Sequence, residues 1–192
     1  MAVTKSPWYS RQKLWSLFLM CAFPLHLWTI LLAFRDISWV SDRSNTWDAI
    51  GVVSYGLIFA FTESLIIFLA VVILGFLISR YWDEEKRVVL LSILVLVGAL
   101  WSMLSQSYFL KWVSIPNPIL QLISQSKHPV RTIYEIFLPL VSISTLLPTY
   151  LILKSDKAYQ FFKGLVERVT VLTIFYLCFD VIGLVIVIIR NI

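Results

Sequence analysis

Three ionisable side chains lie inside apolar runs: His26 in SLFLMCAFPLHLWTILLAF, Glu63 in FAFTESLIIFLAVV and Asp180 in TVLTIFYLCFDVIGLVIVII. Two carboxyls and an imidazole at similar depth can pass a proton or hold a cation. The same groups can instead form a structural hydrogen-bond network that ties helices together. An ionised side chain at the centre of a membrane-spanning helix costs roughly 3 kcal/mol on insertion scales, so each is expected to face protein rather than lipid. No spacing among the three matches a metal-ligand motif, so no metal is assigned, and nothing identifies a cofactor.

The helical neighbours of these residues sharpen the expectation. Gly56, Ala60 and Ala70 fall on the face of Glu63. Gly56 and Ala60 are also a small-xxx-small pair that permits close helix approach, so Glu63 is expected to point into a packed interface. Thr173, Tyr176 and Gly183 share the face of Asp180, and His26 follows the helix-perturbing Pro24. Pro139 and Pro148 should bend their run, freeing carbonyls that Ser142, Ser144 or Thr145 can satisfy. A second candidate site lies toward one membrane surface, where Gln106, His128, Arg131 and Glu135 are candidates for holding a headgroup or a glycan. A helix start solvated at the interface accounts for the same residues.

The elements that must position these groups are membrane spans. The chain has 192 residues, of which 59% are hydrophobic and 14% charged, whereas soluble domains carry about 25% charged residues. Several apolar runs exceed the ~18 residues that mark a span. Their continuity excludes a barrel, whose strands alternate. Five spans are predicted, at about 14–34, 50–79, 88–110, 133–153 and 169–189. The fold class expected is therefore all-α, a polytopic helical bundle forming a single membrane-embedded domain over residues 1–192. The first run is longer than a signal-peptide core and no small-residue cleavage site follows it, so it reads as a retained span.

Orientation follows from the basic residues. Lys5, Arg11, Lys13, Arg80, Lys86, Arg87, Lys154, Lys157, Lys163 and Arg168 fall on one side, and Arg35, Arg43, Lys111, Lys127, Arg131 and Arg190 on the other. The bias puts the N-terminus inside and the C-terminus outside. Trp8, Tyr9, Trp15, Trp39, Trp47, Tyr81, Trp82, Tyr108 and Trp112 cluster at the span ends, as an interfacial belt requires. Of the connections, 115–129 is expected to lie on the outer surface, 155–168 to form an amphipathic interfacial helix, and 80–87 to be a solvated hairpin.

Composition also excludes functions. No basic stripe exists to hold a nucleic-acid backbone. Two cysteines, Cys21 and Cys178, cannot build a disulfide framework. No Walker A loop, GxGxxG, HExxH, GxSxG or CxxC is present. The partners expected are the lipid bilayer and another membrane protein, and the expected compartment is a bacterial cytoplasmic membrane. The leading expectation is a non-catalytic accessory or assembly subunit. A proton- or cation-coupled transporter component and an outer-face enzyme on lipid or lipid-linked glycan are the alternatives.

Overall fold

The structure is a computed structural model that describes residues 9–77 and 82–192. Among them every regular element is a helix: α1 (Arg11–Arg43), α2 (Thr46–Leu77), α3 (Glu84–Phe109), α4 (Asn117–Ser124), α5 (Pro129–Lys154) and α6 (Asp156–Asn191). All except α4 are long and apolar enough to cross a membrane, so the chain is a five-helix membrane bundle. Local chemistry sets the helix ends. The Ser10 and Ser155 hydroxyls accept from the Lys13 and Ala158 amides at 3.4 and 3.3 Å, covering donors that a helix start leaves free. Asn45 does the same before α2, 2.8 Å from the Asp48 amide. Pro118 and Pro129 occupy first turns, where a missing N–H breaks no helical bond. After α3, Lys111 takes a left-handed φ of 59°, and the Trp112 N–H turns back to the Ser107 carbonyl at 2.9 Å.

The helices outrun the apolar segments. α6 has 36 residues, which is about 54 Å of helix against a hydrocarbon core of ~30 Å. Residues 155–168 are therefore not a separate interfacial helix: from Asp156 on they are the opening turns of α6. No proline interrupts the chain between Asp156 and Asn191, so the helix has no reason to stop at the water boundary. α1 likewise continues past Phe34 to Arg43, and α2 begins at Thr46. In the 80–87 connection, Glu84 to Arg87 form the first turn of α3 rather than a hairpin, while Arg80 and Tyr81 lie outside the described residues, as do Lys5 and Trp8. The surface run expected at 115–129 contains α4, none of whose residues is buried.

Packing is concentrated toward the expected inner side. One apolar cluster joins α1, α2 and α3 through Leu17, Cys21, Val71, Val88 and Leu91. A second joins α3, α5 and α6 through Val89, Leu90, Ile93, Ile152 and Tyr159. α1 is the central element, touching α2, α3 and α6. α5 is peripheral, and Ile152 is its one buried residue. On α6 the buried positions Tyr159, Val166, Thr173 and Asp180 recur every seven residues, a single stripe facing the bundle.

Candidate functional site

His26 reaches Asp180 across the α1–α6 contact. Its Nε2 lies 2.8 Å from Oδ2 and 3.0 Å from Oδ1, and its Nδ1 lies 2.8 Å from the Ala22 carbonyl. His26 is fully buried, and Asp180 is 8% exposed. A carbonyl has no hydrogen to give, so Nδ1 must carry one and donate it to Ala22. The contact at Nε2 needs a second hydrogen. Either an imidazolium donates to a carboxylate, or a carboxylic acid donates to a neutral ring. In both states His26 and Asp180 together are uncharged, which is how ionisable groups are tolerated at this depth.

The surroundings hold this pair without joining it. Phe23 and Tyr176 stack about one turn toward the expected inner side, with centroids 6.0 Å apart and planes 16° from parallel. Tyr176 thus contributes its ring to the α1–α6 seam. The buried Thr173 hydroxyl donates to the Val169 carbonyl of its own helix at 2.8 Å. Gly183 lets α2 approach: a Cβ there would sit 3.4 Å from the Ser54 carbonyl oxygen and 3.5 Å from its Cα. The Ser54 hydroxyl is itself satisfied by the Ile50 carbonyl at 2.8 Å.

Glu63 corrects the expectation made for it. Its side chain is exposed on the outer surface of α2, and no hydrogen bond or ion pair reaches it from the described residues. The buried line of α2 runs through Leu57, Ala60, Ser64, Val71 and Gly75. Glu63 precedes Ser64 by one residue, about 100° around the helix. Of its small neighbours, Ala60 belongs to that buried line, Gly56 is half-buried against Thr29 between the line and Glu63, and Ala70 is exposed. Small neighbours marked the edge of the contact with α1 and not its centre.

The second candidate set divides. The Gln106 side chain accepts from the Trp28 indole and lines a groove of about 360 Å³ among α1, α2 and α3. His128, Arg131 and Glu135 instead line a wide concavity at the start of α5, with Lys127 and Tyr134. There Arg131 pairs with Glu135 at 2.7 Å, both largely exposed.

Two clamps escaped the sequence reading. Glu85 receives Lys13 at 2.9 Å, Lys163 at 3.0 Å and the Tyr159 hydroxyl at 2.9 Å, joining the starts of α1, α3 and α6. Glu85 precedes the apolar run that starts at Val88, so it stands on the water side. Hydrogen bonds from Lys13 and Lys163 hold its carboxyl down to about 2. At the opposite side Arg190 binds Asp48 at 2.7 Å and the Trp47 carbonyl at 2.6 Å, with its guanidinium over Gly51. The available signal was that Asp48 and Arg190 are lone, opposite charges at two span ends. No family model matches this chain, and neither a curated protein nor a solved structure matches it.

Proposed function

We propose that this chain is a non-catalytic accessory or assembly subunit of a larger membrane system, placed in a bacterial cytoplasmic membrane with its N-terminus inside. The observation that carries this reading is the contrast between two carboxyls. Asp180 meets His26 within the fold, whereas Glu63 stands midway along α2 on the outer surface with no partner among the described residues. A carboxyl facing hydrocarbon is costly unless another molecule meets it. The competing reading is proton coupling, and the hydrogen shared between His26 and Asp180 is the feature that favours it.

Native purification and flux measurement separate the two. The wild-type chain should isolate with a second membrane protein at fixed stoichiometry. Vesicles holding the purified chain alone should carry no proton or cation current. A current from the chain alone that Asp180→Asn abolishes, in a protein that still folds, decides for transport.

A further inference from the structure

We infer that the exposed face of α2 around Glu63 docks a transmembrane helix that carries a lysine or arginine side chain at mid-depth. This rests on the accessory-subunit reading and names the chemistry of the partner. The face is an extended apolar stripe at helical spacing: Phe59, Ile66, Leu69 and Ile73 are each about 60% exposed. Glu63 lies within it, midway between Ile50 and Leu77. Its neighbour Thr62 has already given its hydroxyl hydrogen to the Ile58 carbonyl at 2.9 Å. Among the described residues, no donor is hydrogen-bonded to the carboxyl.

Charge decides the occupant. Every Lys and Arg of this chain lies at or beyond the ends of its spans, and His26 is buried against Asp180. Neither this chain nor a second copy of it therefore has a cation to offer at the depth of Glu63. A second copy in the same orientation sets Glu63 against Glu63, like charges in a medium that screens them poorly. A lipid headgroup does not reach mid-membrane. A basic side chain on a foreign helix is equally unstable alone in hydrocarbon, and the two charges satisfy each other when the helices meet. Ala70, exposed on the same face, leaves room for that helix to approach.

The probes are synthetic leucine-based transmembrane peptides with a single central Lys, Gln or Leu, mixed with the purified full chain in phosphatidylcholine vesicles. Association is read by energy transfer between labelled peptide and labelled chain. The Lys peptide should associate about tenfold more strongly than the Leu peptide, the scale of one interhelical polar contact. Glu63→Gln should remove most of that preference and Glu63→Leu all of it, while Glu167→Gln, on another exposed carboxyl, leaves it unchanged. Unchanged melting of each variant shows that the fold survives. Equal binding of Lys and Leu peptides overturns the proposal, as does a Lys preference that persists in Glu63→Gln. Disulfide formation between copies of Glu63→Cys without peptide also overturns it, because a second copy then occupies the face. If the native complex persists with Glu63→Leu, the partner docks elsewhere and only this proposal falls. If the wild-type chain binds the Lys peptide but has no stoichiometric partner in its own membrane, the accessory reading falls and the chemistry of the face stands.

Discussion

His26 has two hydrogen-bonding nitrogens and two fixed acceptors, Ala22 and Asp180, and substitutions at Asp180 separate the ways of satisfying them. In Asp180→Asn the ring keeps its hydrogen on Nδ1 for Ala22, and the new amide donates to Nε2. Stability in detergent should then change by less than ~1 kcal/mol, the net worth of one hydrogen bond. Asp180→Leu leaves Nε2 buried and unpaired and should cost ~1–3 kcal/mol. Adding His26→Leu should recover most of that loss, since an apolar replacement of a whole buried pair is often neutral. A double-mutant cycle by thermal unfolding checks this, and additive losses would contradict the pairing. At this scale the sequence was partly legible. His26 and Asp180 were conspicuous because each interrupts an apolar run, and the structure brings them together. Glu63 was equally conspicuous, yet its direction was not readable. Gly56 and Ala60 lie within about 60° of it on the helix, and which edge of that arc faces α1 depends on packing by Thr29, Phe18 and Val71.

Helices were legible as spans and illegible as lengths. An apolar run reports the thickness of hydrocarbon, not the length of hydrogen-bonded backbone. α6 shows the difference, since Asp156 to Arg168 are polar enough to read as a separate segment yet contain no break. The helix contacts give a second prediction. Gly183→Ala places a Cβ 3.4 Å from the Ser54 carbonyl, an ordinary contact, and should be tolerated. Gly183→Leu must push α2 from α6 and should cost ~1–3 kcal/mol, the range for overpacking. The same displacement should loosen the neighbouring hold of Arg190 on Asp48. A double-mutant cycle by thermal unfolding reads that: Asp48→Asn should cost less on the Gly183→Leu background than on wild type or Gly183→Ala.

Across the whole molecule, the Glu85 and Arg190 clamps close the bundle at opposite sides. They were hidden in the sequence because each joins residues on helices distant along the chain. The Glu85 clamp gives a pH dependence. Its carboxyl titrates lower in the fold than its ordinary 4.5, down to about 2. Its contribution is therefore complete above about pH 4.5 and is lost as pH falls toward 2. Each half-exposed pair is worth only ~0.2–1 kcal/mol, so Glu85→Gln should lower the melting temperature modestly at pH 7, and the gap should close in acid. A gap that widens in acid would contradict the assignment. The pairing of His26 with Asp180 bears on how the protein is made. The first span enters the membrane with its imidazole in place, and the acid that completes it lies 154 residues further along the chain. At ~5–20 residues per second, translation leaves His26 waiting roughly 8–30 s. Throughout that interval the nascent chain holds an unmet polar group in the bilayer, a mark by which membrane chaperones and proteases can distinguish an unfinished molecule from a finished one.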